Sequence, residues 1–149
     1  MREIKFRAWD KRTKTLKYPV PYDDGVGECP DSLKGKYCPA TLKDKNGNAT
    51  ALSDAIMSHN DDGHYVLQQY TGLKDKHGKE IYEGDIIRKF YQRLTINDKE
   101  KYIINPVVYR GGGFYVYDQR EGQFIGVAEA PSLLEVIGNI YENPELVTV

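Results

Sequence analysis

The residues of this chain best suited to binding a metal are two cysteines and two histidines. Cys29 and Cys38 each precede a proline with eight residues between them, and His59 and His64 follow further along the chain. Thiolates and imidazoles are good zinc ligands, so these four side chains could form a zinc site. Paired cysteines in zinc modules are usually separated by only about two to four residues, however, and only the histidine pair has a typical spacing. We therefore predict free thiols and no bound metal or cofactor, with a disulfide and a zinc site as the alternatives.

Two other segments resemble reactive motifs but have simpler explanations. Residues 61–64, Asp-Asp-Gly-His, offer carboxylates and an imidazole, yet a tight turn uses the same residue types. The run from Arg110 to Phe114 contains three glycines, but no Lys-Ser or Lys-Thr pair follows, as a phosphate-binding loop requires. A Gly-x-Ser-x-Gly nucleophile motif is absent as well. The sequence therefore predicts a protein that is not an enzyme and has no catalytic residues.

Charge is concentrated at the two ends of the chain, although the whole chain is almost neutral. The 21 basic and 22 acidic residues give a net charge of −1. Residues 1–17 contain seven Lys or Arg against two acids, and residues 118–149 contain six acids against one Arg. The balanced total excludes a global field that would steer the protein toward nucleic acid or an anionic membrane. The opposed ends could pair within one subunit or between subunits.

The basic end is predicted to lie on a β-hairpin. Residues 2–8 alternate between charged and apolar side chains, which is typical of a half-buried strand. Turn-forming residues at 10–14 lead into a return strand at 15–18, and the prolines that follow end it. Lys5, Arg7 and Trp9 would then share a solvent-facing surface. Lys11 and Arg12 on the turn, and Asp85 from a different segment of the chain, complete the candidate interaction surface. It comprises Lys5, Arg7, Trp9, Lys11, Arg12 and Asp85.

The remaining pattern predicts a mainly β fold, a small partly open β-barrel in one domain of residues 1–149. Short β-rich runs separated by turn residues follow one another from residue 64 to residue 141. Residues 22–62 are rich in Pro, Gly, Asn and Asp and are predicted to be an irregular insertion. Within it, apolar residues at helical spacing predict one short helix from Thr50 or Ser53 to about Ser58.

A near-repeat supports the β prediction. Residues 42–47, Leu-Lys-Asp-Lys-Asn-Gly, and residues 73–78, Leu-Lys-Asp-Lys-His-Gly, share five of their six residues. In each copy the aspartate can start a turn by accepting hydrogen bonds from its own backbone, and the glycine can adopt a positive φ. Both segments are therefore predicted to be hairpin turns. Residues 83–85, Glu-Gly-Asp, predict a structural corner, with an exposed Asp85 that binds a partner as the alternative.

Three longer strings carry a resemblance to a known family. They are MREIKFRAWDK at residues 1–11, QYTGLKDKHGKEIYEGDIIR at 69–88 and EVIGNIYENPEL at 135–146. Together they resemble the YopX family, whose members are small proteins of bacteriophages and prophages. The family has no established biochemical activity and no agreed catalytic residues, so the resemblance implies an origin but no reaction.

We expect from these features a phage or prophage accessory protein that acts by binding, as a homo-oligomer, in the cytoplasm of the host cell. The opposed charges at the two ends, the many short strands and the 12 tyrosines all suit interfaces between β proteins. The partner could also be another host or phage protein. The alternative is a nucleic-acid-binding module that uses the basic N-terminal hairpin, with Trp9 as a stacking ring. The sequence contains no run of about 18 apolar residues, so we predict no membrane segment.

Overall fold

The computed structural model describes most of the chain and shows a mainly β protein. The described residues are 5–20, 41–51, 55, 63–90, 102–119, 122–129 and 131–147. They form twelve strands: β1 (Phe6–Asp10), β2 (Thr15–Val20), β3 (Thr41–Lys43), β4 (Ala49–Ala51), β5 (Tyr65–Lys74), β6 (Glu80–Tyr82), β7 (Asp85–Phe90), β8 (Tyr102–Pro106), β9 (Val108–Arg110), β10 (Gly113–Asp118), β11 (Gln123–Gly126) and β12 (Leu134–Asn139). The predicted mainly β fold class is confirmed.

Helical structure within the described ranges is short. It consists of Ala55 and three 3₁₀ segments at Val127–Glu129, Pro131–Leu133 and Pro144–Leu146. None of the helices in these ranges has the length and apolar character needed to cross a membrane.

The chain divides into two compact units, and the boundary falls inside β5. The first unit contains Lys5–Gln69, and the second contains the residues from Tyr70 onward. In the first unit, β1 is the central strand of an antiparallel sheet, pairing with β2 on one side and with residues 65–69 of β5 on the other. Strands β3 and β4 extend this sheet beyond β2. The predicted N-terminal hairpin is therefore confirmed, and its first strand lies inside a sheet.

A small apolar cluster and a carboxylate-closed turn stabilise the first unit. The Oδ1 atom of Asp10 accepts the backbone N–H of Arg12 at 2.9 Å, which closes the turn between β1 and β2. Among the described residues, the apolar cluster comprises Ala8, Leu42, Ala55, Tyr65 and the partly buried Leu67.

The second unit contains two three-stranded antiparallel sheets with a shared core. Their strand orders are β11–β10–β9 and β12–β7–β8. Side chains from strands of both sheets meet in one buried cluster, which comprises Ile81, Ile87, Ile103, Val107, Phe114, Val116, Val127 and Leu134. These two sheets form an open sandwich, and the sheets of the described residues do not close into the predicted barrel. Evenly spaced short strands are common to sandwiches and barrels, because strand spacing does not determine whether the first and last strands pair.

Both copies of the near-repeat close hairpins, as predicted. Residues 42–47 join β3 to β4, and residues 73–78 join β5 to β6. Gly47 and Gly78 have φ values of 85° and 80°, which glycine adopts without the strain that a Cβ atom would cause. The bulge predicted in the last strand is present too, because the register of β12 against β7 shifts between Val136 and Gly138.

The segment predicted to be irregular contains two strands. β3 and β4 have only three residues each, so neither is long enough to show a periodic pattern in the sequence. The predicted short helix is not confirmed. Thr50 belongs to β4, Ala55 is helical, and the other residues of that segment from Ser53 to Ser58 lie outside the described ranges.

Candidate functional site

The interaction surface predicted on the N-terminal hairpin is only partly exposed. Lys11 and Arg12 lie exposed on the turn, and Lys5 is half-buried next to β1. Arg7 and Trp9, by contrast, are only 2% and 8% exposed. The last four residues of β1 are all buried, so both faces of this central strand are covered. The expectation that Arg7 and Trp9 face solvent is therefore wrong, because the alternation of charged and apolar residues does not mark a wet face here.

Polar partners inside the first unit hold the Arg7 guanidinium. Its Nε donates a hydrogen bond to Oε1 of Gln68 at 2.6 Å, and its Nη1 donates to the hydroxyl of Tyr18 at 3.2 Å. The Tyr18 ring centre lies 5.6 Å from the Arg7 Cζ atom. A buried cation is tolerated when its donors are satisfied in this way. Arg7 therefore connects β1 with β2 and β5 rather than presenting a charge to a partner.

A buried ion pair uses two more charges of the hairpin. The Nζ atom of Lys17 lies 3.1 Å from Oδ2 of Asp10, and both side chains are almost fully buried. Burial alone would raise the pKa of Asp10, but the Lys17 ammonium and the backbone N–H groups of Arg12 and Thr13 outweigh it and leave the pKa below its ordinary value. Arg12 also donates to the hydroxyl of Tyr65 at 2.8 Å. Much of the basic charge of the hairpin is thus engaged in internal contacts.

Asp85 lies at a structural corner. It is 2% exposed, and its Oδ2 accepts the backbone N–H of Tyr82 at 2.8 Å. Gly84, with a φ of 82°, reverses the chain between β6 and β7. The predicted corner is confirmed, and the alternative of an exposed Asp85 is wrong.

The cysteine and histidine candidates are described only in part. Cys29, Cys38 and His59 lie outside the described residues, and His64 is exposed beside the start of β5. Within the described ranges, the side chains form no group of three or more His, Cys, Asp or Glu residues that could hold a metal ion. The ranking of free thiols, disulfide and zinc stays a prediction.

The aspartates of the two repeated turns are buried and accept several hydrogen bonds each. Oδ1 of Asp44 accepts the backbone N–H groups of Asn46 and Asn48, and Oδ1 of Asp75 accepts those of His77 and Lys79, all at 2.9 Å. Burial raises the pKa of both carboxyl groups, but these hydrogen bonds outweigh it and leave both pKa values below the ordinary range. Both groups are held ionised by the turns that they close.

The second oxygen of each turn aspartate reaches a different strand. Oδ2 of Asp44 accepts the hydroxyl of Thr15 at 2.9 Å in the first unit. Oδ2 of Asp75 accepts the backbone N–H of Val136 at 2.9 Å in the second unit. Each hairpin turn is therefore fastened to a neighbouring strand by the carboxylate that closes it.

A surface that the sequence reasoning missed lies on the outer side of the sheet β11–β10–β9. We call it the aromatic face, and it comprises Arg110, Tyr115, Tyr117 and Phe124. The rings of Tyr117 and Phe124 pack with their centres 5.2 Å apart, although these residues are 39% and 40% exposed. The Cζ atom of Arg110 lies 4.1 Å from the centre of the Phe124 ring. The sequence signal is the alternation in residues 114–117, Phe-Tyr-Val-Tyr, which directs the two tyrosines away from the core.

These features define a small mainly β protein whose buried carboxylates serve its turns and whose exposed rings lie on a sheet. The family described as YopX protein matches residues 5–148, and the chain belongs to the YopX family. The chain is similar to protein EF1440 from Enterococcus faecalis, known from a crystal structure. The two share 26% sequence identity with a TM-score of 0.54, over 99% of this chain and 100% of that one. None of the curated proteins matches the chain.

Proposed function

We propose that this protein is a phage or prophage accessory protein that acts by binding, without catalysis, and that it works as a homo-oligomer in the host cytoplasm. The observation that carries the proposal is the aromatic face. Tyrosine, phenylalanine and arginine are enriched in the cores of protein interfaces, where large rigid rings bury much area at a low entropic cost. The resemblance to phage and prophage proteins supports the biological setting.

The shape of the aromatic face suits a protein partner. An open groove of about 210 Å³ lies beside Tyr115, and its lining also includes Gly113 and Gly126. Tyr115 folds over Gly113, where a Cβ atom would come within 3.0 Å of the Tyr115 ring. Protruding rings beside a groove form an uneven surface, onto which a partner of complementary shape can fit closely.

The charge of the aromatic face favours a second copy of the chain as that partner. Arg110 supplies one cation, and the carboxylate of Glu129 lies beside Gly126 on β11, where a Cβ atom would be 3.5 Å from Glu129 Oε1. Among the described residues, this face carries a cation and a carboxylate, and a surface with both signs can be complementary to itself, since a two-fold axis brings the same patch onto both subunits.

The buried carboxylates do not have the property that a general acid requires. A carboxyl group that acts as a general acid must keep its proton near neutral pH, so its pKa is usually raised. The pKa values of Asp10, Asp44 and Asp75 are lowered instead, because each carboxylate accepts several hydrogen bonds. These three groups stabilise turns in their ionised form.

The test is the mass of the protein in solution. Wild-type protein should sediment as an integer multiple of the 17.0 kDa chain, and Phe124→Ser and Tyr117→Ser should shift the mass toward a single chain. Loss of a central interface ring costs about 2 kcal/mol, or roughly 30-fold in Kd. Tyr102→Ser is the matched control, because Tyr102 is 45% exposed but lies on β8 in the other sheet. A wild-type mass of one chain at all soluble concentrations would reject the proposal.

The basic N-terminal hairpin is a weaker basis for nucleic-acid binding than the sequence indicated. Trp9 is buried and is not available as a stacking ring, and Arg7 is engaged with Gln68. Lys11, Arg12 and Lys14 are exposed on the turn, and Tyr18, at 38%, is the exposed ring among the described residues of the hairpin. The Tyr18 hydroxyl and ring already contact Arg7, so we favour a solvated surface here.

A further inference from the structure

The outer side of the other sheet of the second unit, β12–β7–β8, carries cations packed on aromatic rings. Phe90 on β7 pairs directly with Tyr102 on β8, and the two ring centres are 6.0 Å apart in an edge-to-face arrangement. Lys76 Nζ lies 4.4 Å from the centre of the Phe90 ring, and Arg88 Cζ lies 5.0 Å from that of Tyr102. We call this group, with Glu135 and His77, the basic patch.

One carboxylate draws the cations of the basic patch together. Oxygen atoms of Glu135 lie 3.8 Å from Lys76 Nζ, 3.5 Å from His77 Nε2 and 3.5 Å from Arg88 Nη1. These distances are long for charge-assisted hydrogen bonds, and the side chains of Lys76, His77 and Arg88 are between 34% and 63% exposed. Pairs of this kind contribute about 0 to 1 kcal/mol each, so a stronger anion can replace the carboxylate.

The Arg88 guanidinium is not held in a two-bond ion pair. Its Nε is buried and makes no hydrogen bond within the described part of the chain, and its contact with Glu135 joins a single nitrogen to a single oxygen. Arginine binds carboxylate or phosphate best through two parallel hydrogen bonds, which this arrangement does not provide.

The hairpin turn next to the patch adds exposed positive charge, while its acidic residue is buried. Lys74, Lys76 and Lys79 are all exposed on this turn. The one acid among residues 74–79, Asp75, is buried with its oxygen atoms occupied by backbone N–H groups. The solvent-facing side of the turn is therefore cationic beside two aromatic rings.

We propose that the basic patch binds single-stranded nucleic acid. The bases stack on Tyr102, which is 45% exposed, and on the half-buried Phe90, while Lys76 and Arg88 contact the phosphates. Positive side chains that track a backbone beside rings that accept any base are the general arrangement for binding single strands without sequence preference. This site shares no residue with the aromatic face or with the N-terminal hairpin.

The test is the fluorescence anisotropy of a labelled oligothymidine titrated with full-length protein at low salt. Lys76→Ser and Arg88→Gln should each weaken binding, and Tyr102→Ser should weaken it about 5-fold or more through lost stacking. With two or three phosphate contacts, the log of the affinity should fall with the log of the salt concentration at a slope of about −1.4 to −2. A duplex of equal length should bind more weakly, because its bases cannot reach the rings.

Two further variants separate this site from a structural cluster and from self-association. Glu135→Gln removes the competing carboxylate and should strengthen binding, whereas it would leave a purely structural cluster without affinity for the oligonucleotide. Tyr117→Ser should leave the affinity obtained from the anisotropy titration unchanged even where it alters the sedimentation mass. No binding at low salt, equal affinity for the duplex, or binding unaffected by Tyr102→Ser and Lys76→Ser would each overturn the proposal.

Discussion

Replacing Asp75 with asparagine tests how a single carboxylate fastens a hairpin turn to a distant strand. Asparagine keeps one oxygen, which can still accept the backbone N–H groups of His77 and Lys79. Its amide nitrogen, however, would take the place of the oxygen that accepts the Val136 N–H at 2.9 Å. Two hydrogen-bond donors would then face each other. Turning the amide over would only place its nitrogen against the His77 and Lys79 N–H groups instead.

The expected loss is about 2 to 3 kcal/mol in the free energy of unfolding, because a hydrogen bond to a charged group is replaced by an unsatisfied buried donor. Asp44→Asn is the matched control, since it makes the same change in the other copy of the turn. Asp44 Oδ2 accepts hydrogen bonds from the Thr15 hydroxyl at 2.9 Å and from the side-chain amide of Asn48 at 3.3 Å. The hydroxyl can rotate and the Asn48 amide can turn over, so both can accept a hydrogen bond from the new amide. We therefore expect Asp44→Asn to cost about 1 kcal/mol or less.

The pH dependence provides a second measure of the same interaction. The folded protein holds the pKa of Asp75 below the value of about 3.9 of an unfolded aspartate. The resulting stabilisation is fully present above that unfolded value and is lost as the pH falls through the lower folded pKa. The difference between wild type and Asp75→Asn should therefore shrink in acid.

The assay is urea unfolding followed by far-UV circular dichroism at several pH values, together with amide hydrogen exchange at Val136. Exchange at this amide should accelerate in Asp75→Asn and stay unchanged in Asp44→Asn. Equal stabilities of the two variants at neutral pH, or a difference from wild type that persists unchanged at pH values well below the unfolded pKa, would refute the reasoning.

Three further substitutions give predictions from single contacts. Arg7→Ser should cost about 2 to 4 kcal/mol because it removes a buried side chain and its hydrogen bond to the buried Gln68, whereas Lys11→Ser on the exposed turn should stay within about 0.5 kcal/mol, as thermal unfolding will show. Lys17→Met removes the nearer cation from the buried Asp10 and leaves the 3.5 Å contact with Arg12, so we expect a loss of about 3 to 5 kcal/mol at neutral pH. Loss of Lys17 moves the Asp10 pKa upward from its wild-type position, and denaturation curves should show a smaller loss in acid, where that carboxyl group is protonated. Gly138→Ala would place a Cβ atom 2.7 Å from a side-chain oxygen, so its urea midpoint should fall by an amount equivalent to about 1 to 3 kcal/mol.

The strands of the second unit were predictable from local pattern because each is bounded by residues that end strands. The corner at residues 83–85 and the turn at residues 73–78 depend on glycines with positive φ and on aspartates that accept nearby N–H groups. Such interactions span only a few residues, so the sequence reveals them directly. Pairing between strands that are distant in the chain leaves no local pattern in the sequence. The sequence therefore does not distinguish an open sandwich from a barrel.

The candidate surface was harder to predict because alternation shows two faces of a strand but not what covers them. Charged residues on one face of β1 indicated solvent, yet Arg7 is buried against Gln68, which is 61 residues away in the chain. The rings of Tyr117 and Phe124 show the opposite case, because they are exposed although aromatic residues in a strand ordinarily indicate a core. The alternation in residues 114–117 shows that Phe114 and Tyr117 lie on opposite faces of the strand, and the fold shows which face is the outer one.

The way the repeated turns are held leaves some of their positions open to sequence drift. In both loops a single aspartate is bonded to backbone N–H groups, which every residue except proline can supply. Positions 45, 46, 76 and 77 are exposed, and their backbone conformation does not depend on which side chains they carry. Related chains can therefore vary the surface chemistry of these loops without altering the hairpins, and the lysine and histidine at positions 76 and 77 are one such choice.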